Sequence, residues 1–446
     1  MSGRDRRISH PGAIVVIGFG LTILIGGILL WLPFSHRSGT RVSFLDSLFT
    51  SASAVTVTGL AVVDTSLVWS PFGQAVLVGL IQVGGLGVLT MAGFFGISLN
   101  RRLGVRSGLL AGAEIGLSDL GVLSTLIGDI VRFVAATEAL MALLLAGRFM
   151  VEGQGVGQAV WEGVFHSVSA FNNAGFSTFP GGLEGRTGDW VVSLIIAASF
   201  IIGGIGFPVV FELRRRWRQP STWSLHSKVT LTMTANLLIG GTIVFALLEW
   251  RNPATLGGRP VDERILASFF QSATARTAGF NTVSIGGLHT ATWMLMILLM
   301  MVGASSASTG GGIKTSTFAV VVRSSLAELR GDPSTTMFGR AITPPQQRQA
   351  LTLVIVSLGT VGTAVFLLSI FQDSLPLAGL LFEASSAFGT VGLSTGITPT
   401  LGPVGRVIVI LVMFLGRVGP VTFGTAVMLR SQPRQFGYAE EELIVG

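Results

Sequence analysis

Cysteine is absent from this 446-residue chain, and only 11% of its residues are charged. Without cysteine there are no disulfides, thiolate metal sites or cysteine nucleophiles. Soluble chains carry about 25% charged residues. The shortage of charge, the 49% hydrophobic content and a mean hydropathy of +0.70 exclude an ordinary soluble protein. An integral membrane protein is expected, as one embedded core without a separate soluble domain. No group of residues with catalytic spacing is present either, so neither an enzyme nor a covalent cofactor is expected. The net charge of +7 raises the question of nucleic acid. Its basic residues are scattered along loops, however, which suits membrane orientation rather than a nucleic-acid face.

What is abundant is apolar run and glycine. Several runs reach the roughly 20 residues that a spanning helix needs. The 60 glycines suit close helix contacts and non-helical backbone inside protein-lined cavities. The first run, Ile14–Leu32, follows Arg4, Arg6 and Arg7 like a signal peptide, but it lacks a small-residue cleavage pattern and is read as a helix.

One short phrase is written four times: Thr56-Val57-Thr58-Gly59-Leu60, Asn172-Asn173-Ala174-Gly175-Phe176, Arg276-Thr277-Ala278-Gly279-Phe280 and Gly389-Thr390-Val391-Gly392-Leu393. The glycines fall 116, 104 and 113 residues apart, a period near a quarter of the chain. Each phrase follows a half-length apolar segment and precedes a longer run. The expected units are Ile14–Leu32, Leu45–Val55 and Pro71–Ile97; Leu120–Met150, Ala159–Phe171 and Val191–Leu213; His226–Trp250, Ile265–Ala275 and Trp293–Val302; and Leu351–Phe371, Ala378–Phe388 and Val404–Leu429. The expected fold is thus an all-α integral membrane protein of four parallel span–pore helix–span repeats, with eight transmembrane helices and four half-length helices around a pseudo-fourfold central pore. The repeats divide at 1–100, 101–220, 221–340 and 341–446, the last including the C-terminal tail.

Before the first span and in the loops between repeats there are 17 basic residues, against 7 on the side where the phrases open. Both termini are therefore expected in the cytoplasm, with all repeats in one orientation. Four glycine turns around one axis can present rings of carbonyl oxygens that replace the water around a monovalent cation. The carboxyl ends of the short helices would favour a cation in the cavity beneath. The bland alternative is that these glycines serve helix packing.

With these phrases in place, the sequence resembles the Trk/Ktr/HKT potassium transporters, and most closely the Ktr membrane subunit. The resemblance covers nearly the whole chain. It implies K⁺ as the transported ion, bound by carbonyls of Thr56, Val57, Thr58, Gly59, Asn172, Asn173, Ala174, Gly175, Arg276, Thr277, Ala278, Gly279, Gly389, Thr390, Val391 and Gly392. A serine in place of the first glycine goes with sodium permeation in some plant members, so Gly59 points to potassium. The chain starts at the first repeat, without the leading pair of spans of the Trk type, which favours Ktr over a Trk-type subunit. The resemblance also implies a homodimer in the plasma membrane docked on a cytoplasmic ring of nucleotide-binding, RCK-type regulatory subunits, with Na⁺ as a possible activator. The basic loops at Arg214–Arg218 and Arg323–Arg348 and the tail after Arg430 are the expected docking sites. The acidic tail residues Glu440, Glu441 and Glu442 suit packing into the partner protomer or a frayed end equally. An alternating-access transporter is the competing class, and it requires inverted repeats.

The repeats are not equal. Their second spans share a small-residue break at Gly84-Gly85, Gly203-Gly204, Gly303-Ala304 and Gly416-Arg417. Where three repeats have a minimal side chain, the fourth has a guanidinium, which is costly in mid-span unless it meets a cavity or a partner. Arg417 is expected below the phrases against the third repeat's loop, as the corresponding arginine of the family stands; snorkelling to the interface is the alternative. That loop, residues 303–317, is small, polar and poor in helix propensity. It includes Gly303, Ser305, Ser306, Ser308, Thr309, Gly310, Gly311, Gly312 and Lys314, and it matches the family's intramembrane gate. Its Gly-rich run with a lysine lacks the spacing of a phosphate-binding loop. Asp129 and Arg132 are expected to pair, with Glu138 in the same helix assigned to such pairing or to a subunit contact. His166 is expected to be packed and hydrogen-bonded, and Asp64, Glu162 and Asp373 to lie near the outer mouth.

Overall fold

The computed structural model describes residues 11–87 and 120–419. Among these the chain is helical apart from loops and a two-residue hairpin, Thr336–Met337 against Arg340–Ala341. The first repeat comprises α1 (Pro11–Trp31), α2 (Phe44–Val55) and α3 (Pro71–Gly85). The second comprises α4 (Leu120–Val151), α5 (Val156–Phe171), α6 (Trp190–Ile205) and α7 (Phe207–Arg216). The third comprises α8 (Leu225–Glu249), α9 (Val261–Thr274), α10 (Thr290–Met301) and α11 (Thr315–Arg330). The fourth comprises α12 (Pro344–Phe371), α13 (Leu377–Gly389) and α14 (Pro403–Val418).

Local chemistry sets these boundaries. Ser43, Ser70, Asp189 and Ser224 each accept a hydrogen bond from a first-turn N–H of α2, α3, α6 and α8. Pro71, Pro344 and Pro403 open their helices at a position where the missing N–H costs nothing. Thr343 and Gln346 form a reciprocal capping box on α12.

Among the described residues, α4 from Ile127, α8 and α12 are long and apolar enough to cross a membrane. Val15–Trp31 of α1, together with α2, α3, α10 and α13, are shorter apolar helices. The expected spans to Ile97 and Leu429 run beyond Gly87 and Gly419, outside the described residues, as do the tail and Arg101, Arg102 and Arg106. One expectation is corrected. The run Val191–Leu213 is two helices, α6 and α7, bent by 99°. Gly206, with φ of +97°, and Pro208 in the first turn of α7 break the ladder there, and the Phe207 N–H is satisfied by the Ala307 carbonyl at 3.1 Å.

The repeats pack in a cycle. Each short helix lies against the second helix of the preceding repeat: α5 on α3, α9 on α6, α13 on α10, and α2 on α14. The last contact joins the first repeat to the fourth, and the Asp46–Arg406 ion pair spans it. The core follows the same cycle, with one apolar cluster joining repeats one and four through Phe49, Ile81, Leu380 and Val409. Others join three to four through Met300 and Val391, and two to three through Phe200 and Phe270.

Candidate functional site: a ring of four glycine phrases

The four short helices end at Val55, Phe171, Thr274 and Gly389, at the start of the phrases; Ala275 separates the third helix from Arg276, and Gly389 is already the first residue of the fourth phrase. Two residues before each phrase glycine the backbone is left-handed: Val57 (φ +50°), Asn173 (+60°), Thr277 (+80°) and Thr390 (+49°). The glycines are positive as well, at +93°, +68°, +80° and +92°, whereas Thr58, Ala174, Ala278 and Val391 between them are not. Non-glycine residues at positive φ are uncommon, and β-branched ones are outliers. Three of these four are β-branched, so surrounding contacts must hold them there.

The glycines close on one another. A Cβ built on Gly59 would meet the Ala174 carbonyl and stand 3.2 Å from the Gly175 Cα. One on Gly175 would stand 3.0 Å from both the Ala278 oxygen and the Gly279 Cα. On Gly279 it would meet the Val391 oxygen, and on Gly392 the Thr58 oxygen. Each glycine therefore abuts the residue before the next glycine, round to the start. Any side chain would break this ring.

Hydroxyls six residues before the glycines hold three of the phrases. Ser53 Oγ accepts the Gly59 N–H at 3.0 Å, Ser386 Oγ accepts the Gly392 N–H at 3.0 Å, and Ser169 Oγ donates to the Phe176 carbonyl at 2.7 Å. The third repeat has Ala273 there, and Thr274 Oγ1 donates to the Phe280 carbonyl instead, at 2.7 Å. Behind the second phrase, Asn172 Nδ2 donates to Glu138 Oε1 at 2.9 Å and to Gln82 Oε1 at 3.0 Å, while Gln82 Nε2 donates to Glu138 Oε2 at 3.2 Å. Glu138 is thus buried against a phrase residue rather than belonging to an ion pair of its own helix. The expected pair on that helix is Arg132–Asp129 at 3.0 Å.

His166 is fully buried as expected. Its Nδ1 faces the Glu162 carbonyl at 2.8 Å, so Nδ1 carries the proton and Nε2 accepts from Ser177 Oγ at 2.9 Å. The ring stacks on Phe179 with centroids 4.4 Å apart. Glu383 holds the matching place in the fourth repeat, accepting from Ser394 Oγ at 2.9 Å and from Thr398 Oγ1. Glu162 is buried and accepts from Gln158, so it is not a solvated loop residue. Asp64 caps the single turn Thr65–Val68. Between α5 and α6, burial pushes the Glu184 carboxyl up against a partly offsetting hydrogen bond from Asn281. Burial would raise Asp189 too, but the Val192 N–H and Arg148 hold it below the usual aspartate range.

The polar loop after α10 runs from Val302 to Lys314; Thr315, Ser316 and Thr317, expected in the loop, form the first turn of α11. The loop folds back on itself, with the Gly303 N–H on the Ile313 carbonyl at 2.9 Å. It packs beneath three phrases. Thr309 Oγ1 accepts from Asn173 Nδ2 at 2.6 Å, the Gly311 N–H donates to Thr390 Oγ1 at 3.1 Å, and a Cβ on Gly310 would collide with the Thr277 side chain. Ser305 and Thr309 donate backbone N–H groups to the Gly204 and Gly203 carbonyls. Ser308 Oγ donates to the Ser305 carbonyl at 2.6 Å, Ser306 pairs with Ser316, and Lys314 Nζ donates to the Gly310 carbonyl at 2.7 Å. A Cβ on Gly312 would stand 3.3 Å from the Gly389 Cα.

Arg417 donates from one terminal nitrogen to the Thr309 carbonyl and from the other to the Gly84 carbonyl. It therefore joins the loop of the third repeat to the end of α3 in the first. The break glycines show the same asymmetry. A Cβ on Gly84, Gly203 or Gly416 would strike the carbonyl at the end of its own short helix (Val55, Phe171, Phe388), whereas on Gly303 it would strike the loop's Gly311.

Residues 4–436 match the model of the TrkH family, described as cation transport protein. The chain is 41% identical over 436 residues to Ktr system potassium uptake protein B of Bacillus subtilis, covering 98% of this chain and 97% of that one. It is 38% identical over 444 residues to the protein of the same name from Vibrio alginolyticus (99% and 96% covered). It is also 34% identical over 451 residues to the potassium/sodium uptake protein NtpJ of Enterococcus hirae (100% and 99% covered). The crystal structure of the potassium transporter TrkH from Vibrio parahaemolyticus superposes with a TM-score of 0.74 at 16% identity, covering 95% of this chain and 86% of that one, and so shares the fold. A fourfold cyclic helical fold and sequence agreement along nearly the whole length lead to one assignment: the chain belongs to the TrkH family of cation transport proteins.

Proposed function

We propose that this chain is the pore-forming membrane subunit of a potassium uptake system, and that potassium passes along the axis of the four phrases. The observation that carries this reading is the closed ring of four glycines, each preceded two residues earlier by left-handed backbone. Backbone that alternates hand turns successive carbonyls to one side of the chain. Four such stretches around an axis make carbonyl rings that stand in for a dehydrated cation's water. The carboxyl ends of α2, α5, α9 and α13 add negative potential at the cavity below. The relatives named as potassium uptake proteins support the choice of ion. The potassium/sodium name of a third keeps sodium as a co-ion or activator.

The loop from Gly303 to Lys314 is the gate, and Arg417 latches it. It lies under three phrases, and the latch reaches across to the first repeat. The rest of the assembly follows the same reading: eight spans, both termini cytoplasmic, a homodimer in the plasma membrane, and a nucleotide-binding ring docked near Arg214–Arg218 and Arg323–Arg348.

Rubidium uptake into proteoliposomes holding the purified chain, with no organic solute present, tests the proposal. Robust flux that potassium competes away is expected. Flux that appears only with an organic co-substrate would favour the alternating-access class, which requires inverted repeats.

A further inference from the structure

Behind the phrases, two junctions between successive repeats differ in charge. Between repeats one and two, the residue three before the phrase glycine is Asn172, and its side chain meets Gln82, Glu138 and Gly85. Between repeats two and three the same position is Arg276, which lines a cleft with Ile201, Gly204, Thr234, Leu238 and Ala304.

The walls of the two sites can be compared, with the third repeat one residue shorter between its short-helix serine and its phrase glycine (Ser272 to Gly279, against Ser167 to Gly175). Gln82 and Ile201 each stand two residues before the first break glycine, Gly84 or Gly203. Glu138 and Leu238 each accept, at the backbone carbonyl, the hydroxyl of a short-helix serine: Ser167 at 2.6 Å and Ser272 at 3.0 Å. The second junction thus has isoleucine and leucine where the first has a glutamine and a carboxylate, and arginine where it has asparagine. Arg276 is 9% exposed, its Nε has no hydrogen-bond partner, and no acidic side chain pairs with it among the described residues. Thr234 beside it, buried, has a hydroxyl without a partner too.

A guanidinium withdrawn from water is costly unless an opposite charge accompanies it, and neutral water supplies hydrogen bonds but no charge. We infer that the cleft holds a small inorganic anion of the chloride class, bound by the Arg276 guanidinium with the Thr234 hydroxyl as second donor. The cleft is a cavity of about 20 Å³, room for a single occupant little larger than a water, and is walled by Phe200, Ile201, Ile205 and Leu238. Leu238 stands at the middle of the 25-residue α8. Eleven residues at about 1.5 Å each separate it from the nearer helix end, Glu249, too deep for a lipid headgroup phosphate. On the ion path proposed above, the same anion would screen Arg276 from cations passing Thr277 and Gly279.

The test uses full-length purified protein with potassium gluconate or potassium chloride at equal ionic strength, followed by thermal unfolding. A rise in Tm that saturates with chloride is expected. Crystals soaked in bromide should give an anomalous peak between Arg276 and Thr234. Leu238→Glu supplies a carboxylate as Glu138 does at the other junction, and it should abolish both the chloride response and the peak; Arg276→Gln should do the same. Identical unfolding in the two salts with no bromide peak would sink the inference. So would a Leu238→Glu protein that keeps the full chloride response, or stabilisation by anionic lipid vesicles in place of chloride. Neither readout depends on potassium flux, so this inference and the ion path fail separately.

Discussion

At the residue scale, the glycine ring makes the sharpest demand. Gly59→Ala would place a Cβ against the Ala174 carbonyl at a φ of +93°, and the left-handed backbone alone costs about 1–2 kcal/mol for a residue with a Cβ. Rubidium flux is expected to fall to background. Gly79 in α3 is the control: nothing lies within 4 Å of its added Cβ, so Gly79→Ala is expected to gain up to about 1 kcal/mol of helix stability and keep its flux. Equal flux in both variants would remove the ring from the ion path. Glu138 makes a second demand. Glu138→Ala leaves the Asn172 and Gln82 amides short of an acceptor, at about 1–3 kcal/mol for each orphaned group, and thermal unfolding should show it more strongly than in Glu138→Gln. The phrases were legible in the sequence because a glycine required at one backbone position recurs at a fixed place in every repeat. Glu138 was not. Its partner lies 34 residues away, and on a long apolar helix a carboxylate reads the same whether it meets a helix neighbour or a distant asparagine.

The loop after α10 belongs to the element scale. Its composition gave it away as non-helical, but composition does not say which hydroxyl meets which phrase, or that helix resumes at Thr315 rather than after Thr317. Gly206 was similarly visible as part of a small-residue break, yet the 99° bend needs both Pro208 and the Ala307 carbonyl that receives the Phe207 N–H. If Arg417 latches the loop, Arg417→Gln loses the charge-assisted bonds to the Thr309 and Gly84 carbonyls, each about 1.5–3 kcal/mol. Faster rubidium entry without the regulatory ring is the expected outcome, and unchanged or slower entry would count against the latch. The start of α6 offers a pH test. Asp189 caps it and pairs with Arg148, and its carboxyl is held below the ordinary aspartate value of 3.8. Stability from such a group is fully present above the unfolded value and is lost as pH falls through the lowered one. Asp189→Asn should therefore be less stable than the parent at neutral pH, with the difference vanishing only below pH 3.8.

For the whole molecule, the question is what closes four repeats into a ring. Three of the four junctions join consecutive repeats, so short connections bring their halves together at little entropic cost. The fourth joins α2 to α14 across nearly the whole sequence, and only packing and charge hold it. There Asp46 and Arg406 meet, both side chains largely buried at 17% and 20% exposure. Removing one partner strands the other's charge, which is far costlier than removing both. Asp46→Ala and Arg406→Ala are each expected to destabilise the detergent-solubilised protein, and the double variant by less than their sum, with a coupling of about 0.5–3 kcal/mol. Because the Gly392–Gly59 contact closes the glycine ring at this same junction, the single variants should also lose rubidium selectivity over sodium. Strict additivity in unfolding, together with intact selectivity, would mean that apolar packing through Phe49, Leu380 and Val409 closes the ring without help from the ion pair.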